Sequence, residues 1–305
     1  MKKNFFKRLR RDLLRNKGLY LLLLPVVIYY IVFHYYPMYG AQIAFKDYSP
    51  AKGIEGSAWA GFKHFQSFFN SIYCGRLIKN TLVINIKNLV LGFPAPIILA
   101  LLLNEVKNVG FKKVVQTISY LPHFISTVVI CGMITSFCGS DGIITSIFTL
   151  FGYPKQNLLY NQNLFQPIYV ISGIWQTIGW GSIIYLAAIS GINDELYEAA
   201  RIDGAGRLKQ VWHVTIPGIM PTIITMLVLR VGNMMNLGYE KIMLLYNSAV
   251  YETADVISTY VYRKGILDMS YSFSTAVGLF NSVVNLILLI SANQISKKLT
   301  ESSLW

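Results

Sequence analysis

The sequence predicts an all-α membrane protein with six transmembrane helices, and three observations carry that prediction. The 305 residues are 54% hydrophobic and only 13% charged, with a mean hydropathy of +0.47, more apolar surface than one soluble core needs. Six stretches are long enough to cross about 30 Å of hydrocarbon at roughly 1.5 Å per residue: 19–36, 81–103, 118–138, 167–190, 218–238 and 275–295. The cations are unevenly placed, with Lys2, Lys3, Lys7, Arg8, Arg10, Arg11, Arg15 and Lys17 crowding one tail.

The first stretch, LYLLLLPVVIYYIVF, follows those basic residues, but HYYPMYG comes next and offers no small-residue cleavage site, so a retained helix is expected. Residues 1–77 thus divide into a basic cytoplasmic tail, a first transmembrane helix and an external segment. In that segment Phe62, Phe65, Phe68 and Phe69 are expected to lie flat at the outer surface. A core transmembrane domain is expected over 78–295, carrying a cytoplasmic loop at 191–217, with a C-terminal tail at 296–305. No Gly/Ser linker, low-complexity tract or 20–50-residue repeat divides it.

Loops at the cytoplasmic ends of spans are enriched in Lys and Arg. With the basic tail inside, 104–117, 191–217 and 296–305 are inside too, and that side holds sixteen of the 27 cations. The external segments 37–80, 139–166 and 239–274 hold nine, and Lys87 and Arg230 fall within spans. Both termini are then cytoplasmic. The net charge of +13 is explained by anchoring to membrane lipid, since no basic stripe interleaves with aromatics as a nucleic-acid partner would require. Tyr29, Tyr30, Tyr35 and Tyr36 suit the two membrane interfaces.

Residues for chemistry are missing. There is no Gly-x-x-x-x-Gly-Lys-Ser/Thr loop to cradle ATP phosphates, no Gly-x-Ser-x-Gly elbow, and no histidine pair at zinc spacing among His34, His64, His123 and His213. Cys74, Cys131 and Cys138 have no metal-type spacing and read as buried thiols. No catalytic, metal or cofactor site is expected, and any energy source lies in a partner.

The most informative segment is the polar gap EAARIDGAGRLKQVWHVTIP, residues 198–217, between two apolar stretches. Asn193 can cap a helix whose first turn carries Asp194 and Glu195, where negative charge suits the helix dipole. Gly204 can end it, and Arg207 to His213 can form a second short helix before Pro217 opens the next apolar segment. Small Ala199 and Ala200 leave backbone open to another surface. A helix–Gly–helix elbow of this kind suits docking into a groove.

The spacing Glu198-Ala199-Ala200, Gly204, Val214, Ile216, Pro217 resembles the signature of importer permeases of the ATP-binding-cassette class, with Val for Ile and Ile for Leu as the departures. The segments at 35–50, 100–106, 119–127, 174–189 and 251–265 and the terminal Ser-Leu-Trp look like the polysaccharide-type subgroup of carbohydrate importer permeases. That resemblance implies a type I importer transmembrane-domain fold in a bacterial cytoplasmic membrane. It implies as partners a homologous second permease, two copies of a cytoplasmic ATPase subunit and an extracytoplasmic solute-binding lipoprotein. It also implies that the elbow, with Glu198, Ala199, Ala200, Asp203, Gly204 and Pro217, is the coupling helix seated in the ATPase, and that an oligosaccharide is the substrate.

Ionisable residues inside a span are costly and are usually retained for a function or a partner. Lys87, six residues past Thr81, is expected to snorkel to the outer surface. Arg230, thirteen residues after Pro217, is too deep for that and is expected to face the protein interior. With Asn233 and Asn236 it recurs at steps of three, so one helix face is predicted to carry all three. Trp175, Gln176, Trp180 and Tyr185 face sugar-type chemistry on the fourth span. In the maltose-type relative the sugar-contacting segments correspond to Gly173 to Trp180 and Arg230 to Tyr239. Gln176, Trp180, Arg230, Asn233 and Tyr239 are the expected substrate pathway; the competing reading is helix-packing glue among polar residues. A permease of the same class for a non-carbohydrate solute and an ion-coupled secondary transporter are the alternatives, but the latter wants acidic residues within spans, and none lies well inside them.

Overall fold

In the computed structural model, which describes residues 11–12 and 14–300, six helices are long and apolar enough to cross a membrane. They are Lys17–Phe45, Cys74–Glu105, Thr127–Leu150, Gln162–Ser190, Arg207–Gly232 and Tyr271–Lys298, here the first to sixth spans. The tail cations Lys2, Lys3, Lys7, Arg8 and Arg10 and the terminal Ser303, Leu304 and Trp305 lie outside the described residues. The fourth span packs along the second half of the second, and the fifth along the sixth. None of Lys17–Tyr30 in the first span is buried.

The third and fifth expected spans have different limits. The third does not begin at 118: a separate helix, Val109–Tyr120, ends in a turn at Leu121–Phe124 around Pro122, and the span starts at Thr127 behind a Ser126 cap. Ring closure at Pro122 denies the helix a donor just where it breaks. The fifth span begins ten residues before Pro217, because the second elbow helix, Arg207–Gln210, runs on through a π-helical turn, Val211–Thr215, into Ile216–Gly232. Pro217 is therefore inside a continuous helix and does not open it. At its other end this span stops at Gly232, and 233–238 is irregular.

The same device recurs. π-Helical turns at Ile31–Tyr35, Asn88–Gly92 and Val211–Thr215 are each followed, two residues on, by Pro37, Pro94 or Pro217. A proline ring collides with the carbonyl four residues back, and a widened turn there relieves the collision without ending the helix.

The external segment packs against the sixth span. Strand β1, Lys46–Ser49, pairs antiparallel with β2, Ser57–Trp59, and helix Lys63–Phe69 follows. Phe68 is 1% exposed between Phe273 and Phe280, although Phe62 and Phe69 remain open. The expectation that these rings lie flat at the surface fails for Phe68, because the sixth span offers them an apolar face. Above the second span, Asp255 is fully buried and accepts from both Arg263 guanidinium nitrogens at 2.9 and 2.6 Å, with Arg76 3.8 Å away.

Candidate functional site

The elbow forms as its residues dictate. Asn193 Oδ1 accepts from the Glu195 amide at 3.0 Å, capping a helix over Asp194–Ile202. Asp203 follows as the C-cap, and Gly204 has a φ of 75°, the left-handed conformation glycine adopts without cost. Glu198, Ala199, Asp203 and Gly204 are exposed, Ala200 half-buried. Sequence reasoning missed the apolar patch beside them: Leu196, Ile202, Leu208 and Trp212 are 54%, 86%, 79% and 67% exposed. Exposed apolar side chains of this size mark sites of contact with protein or with membrane.

A cavity of about 430 Å³ opens between the second, fourth and fifth spans. Gln176, Trp180 and Tyr185 of the fourth span and Arg230 of the fifth line it, with Asn88 from the π-helical turn of the second. Its size is within the range of roughly 300–1,000 Å³ usual for ligand sites. A smaller chamber of about 200 Å³ adjoins it, sharing Asn88, Tyr169 and Arg230 and adding Asn233 and Asn236. Trp180 is placed by its neighbours: its ring stacks on His123 with centroids 4.6 Å apart, and Phe124 meets it edge-on. A Cβ on the adjacent Gly179 would collide with the Ser119 carbonyl, so only glycine lets the helix Val109–Tyr120 approach this closely.

Two of the five expected pathway residues are placed differently from the prediction. The helix ends at Gly232, so Asn233 is its C-cap and Asn236 sits in the following turn; Arg230, Asn233 and Asn236 do not share one helix face. They meet at the smaller chamber all the same. Tyr239 lines neither chamber and instead stacks on Tyr262, 5.2 Å between centroids. Trp175 also lines neither. Irregular backbone at membrane depth is tolerated where it lines a cavity, which is where 233–238 lies.

Cations dominate the polar surroundings. The short helix Tyr239–Leu245 brings Lys241 to the main cavity, its Nζ 5.2 Å from the Tyr169 ring centroid and without a hydrogen-bond partner. Lys87 is half-buried, and its Nζ donates at 2.7 Å to Gln166 Oε1, four residues past the start of the fourth span and on the side toward which its stem was expected to reach. Among the described residues, neither Lys87, Arg230 nor Lys241 has a carboxylate partner. Lys241 was invisible as a site residue because it stands outside the apolar stretches.

Long apolar helices around a polar cavity, with an exposed helix–Gly–helix elbow between the fourth and fifth, define a polytopic membrane protein of the transport class. The chain belongs to the family described as "Binding-protein-dependent transport system inner membrane component", matched over residues 92–301. It is similar to the "Polygalacturonan/rhamnogalacturonan transport system permease protein YteP" of Bacillus subtilis (strain 168), 46% identical over 305 residues, all of this chain and 95% of that protein. A chain of the solved "bacterial ABC transporter involved in the import of the acidic polysaccharide alginate" is 45% identical with a TM-score of 0.88, covering 96% of this chain and 99% of that one. A chain of the "bacterial alginate ABC transporter in complex with alginate pentasaccharide-bound periplasmic protein" is 44% identical, with a TM-score of 0.89 and coverage of 97% and 100%. The chain is thus a multi-pass permease subunit of an ATP-binding-cassette importer with the type I transmembrane fold expected from the resemblance.

Proposed function

We propose that this permease passes an acidic oligosaccharide inward, and that Arg230 and Lys241 hold its carboxylates transiently in the main cavity. The observation that carries the reading is the pair of cations, Arg230 and Lys241, that line the cavity without a carboxylate partner among the described residues. An unpaired cation at that depth costs at least ~2.5 kcal/mol on insertion scales, a cost that an anionic cargo offsets. Relatives named for polygalacturonan and alginate transport support the same chemistry. Gln176 and Asn88 add amide donors and acceptors for hydroxyls, and the His123-backed face of Trp180 suits the C–H surface of a sugar ring.

In this reading a homologous second permease completes the pathway, two ATPase subunits dock on the elbow and its apolar patch, and a solute-binding lipoprotein delivers the sugar from outside. Both termini and the loop 191–217 face the cytoplasm. Glu198, Ala199, Ala200, Asp203, Gly204 and Pro217 serve coupling to ATP; Gln176, Trp180, Arg230 and Asn233 serve the pathway. The test is uptake by the complete importer in proteoliposomes, comparing an oligogalacturonate with a neutral oligosaccharide of equal length. Transport of the acidic sugar alone supports the reading, and equal or exclusive transport of the neutral one overturns it.

A further inference from the structure

The geometry points to Tyr197 as a positioning residue for coupling: its hydrogen bond to Thr215 is the strut that carries displacement of the elbow into the fifth span. This rests on the reading of the elbow as the ATPase docking element.

Tyr197 Oη lies 3.0 Å from Thr215 Oγ1. The helix Asp194–Ile202 has no buried residue, and among the described residues this is its one side-chain hydrogen bond to another element. The partner is unusual for a helical threonine. Thr81, Thr117, Thr149, Thr177 and Thr225 each donate their hydroxyl to the carbonyl four residues back. Thr215 lies in the π-helical turn, where the Val211 carbonyl accepts from the Ile216 amide five residues on, and its hydroxyl meets Tyr197 rather than that carbonyl. Thr215 is 1% exposed, so its side-chain hydrogen bond to another element is held away from solvent.

The strut is also well placed to transmit. Close beside it, a Cβ on Gly218 would lie 2.7 Å from Ile192 Cδ1, so the chain entering the elbow already rests on the fifth span. From Thr215 the helix continues to Gly232. Ile219, Ile223, Met226 and Arg230 follow Thr215 on one face at helical spacing, and Met226 and Arg230 line the main cavity. The fifteen residues from Thr215 to Arg230 cover about 22 Å of helix. One rigid element therefore joins the elbow contact to the cavity cation.

The experiment compares Tyr197→Phe and Thr215→Val in the complete importer, measuring sugar imported per ATP hydrolysed with loaded binding protein. Both variants are expected to assemble normally and to lower that ratio by about three- to ten-fold, the worth of one net hydrogen bond. The double variant should be no worse than either single one, and Thr215→Ser should restore coupling. A wild-type ratio in Tyr197→Phe, additive losses, or failure of both variants to assemble overturns the strut. Glu198→Lys and Gly204→Val run alongside: if they couple normally the elbow reading itself fails, whereas their uncoupling beside a normal Tyr197→Phe removes the strut alone.

Discussion

Replacing Arg230 or Lys241 by Met removes a charge while keeping most of the apolar stem. Arg230 borders both chambers, and the Lys241 ammonium has no hydrogen-bond partner, so among the described residues neither change breaks an ion pair and Lys241→Met gives up only the cation–π contact with Tyr169. A substrate carboxylate about 4 Å from either cation gains roughly 4 kcal/mol at an effective dielectric constant near 20. Desolvation takes back part, and a charge-assisted hydrogen bond retains about 1.5–3 kcal/mol. Each variant is therefore expected to slow import of an acidic oligosaccharide by roughly 10- to 150-fold if that contact is made only during passage. The assay is uptake of labelled oligogalacturonate into proteoliposomes holding the complete importer, at a fixed concentration of loaded binding protein. Stability should move the other way for Lys241→Met, which relieves an unpartnered buried ammonium, so the detergent-solubilised complex should melt no lower than the parent. Unchanged import in both variants refutes the cavity assignment. Failure of the Arg230 variant to assemble makes that residue an interface strut, which refutes it equally.

Glu198→Lys and Gly204→Val should leave the complex in the membrane but separate ATP hydrolysis from import; valine is strained at a φ of 75°, costing about 1–2 kcal/mol locally. Normal uptake by both would contradict a coupling role for the elbow. In a background lacking Cys74, Cys131 and Cys138, a cysteine at Lys155 should react with an impermeant thiol reagent added outside, and one at Lys209 should not. The reverse labelling inverts the topology. Arg263→Met should lower stability by about 3–5 kcal/mol, because it leaves the fully buried carboxylate of Asp255 with no close cation, only Arg76 at 3.8 Å and the Thr259 hydroxyl at 2.7 Å; an unchanged melting temperature would show the pair to be dispensable.

The spans were legible because lipid demands about twenty consecutive apolar residues and the chain supplies them six times. The elbow was legible from Asn193 and Gly204, whose roles at helix ends are local. What depends on neighbours distant in sequence was not. The partner of Lys87, Gln166, lies 79 residues away and left no local sign. Periodicity at 230, 233 and 236 implied one helix face, but a period of three continues on paper past Gly232, where the chain leaves the helix. Lys241 reaches the cavity only because a short helix after that irregular segment folds back beside Tyr169.

The prolines were present in the sequence as a signal, yet their meaning needed the backbone. Pro94 and Pro217 lie in spans that a simple reading would kink or interrupt. The structure instead widens the turn before each, and each widened turn carries a polar side chain that meets something other than its own helix. Before Pro94, Asn88 is delivered to the boundary shared by both chambers. Before Pro217, the Thr215 hydroxyl meets Tyr197. Helical continuity is kept in each case, so a displacement at one end of the fifth span has an unbroken route to the other. A proline tolerated in this way supplies a polar group at a chosen depth without a chain break that would leave backbone unpaired in lipid. The same local departure from the α-helix thus lies beside the cavity at Asn88 and beside the elbow at Thr215.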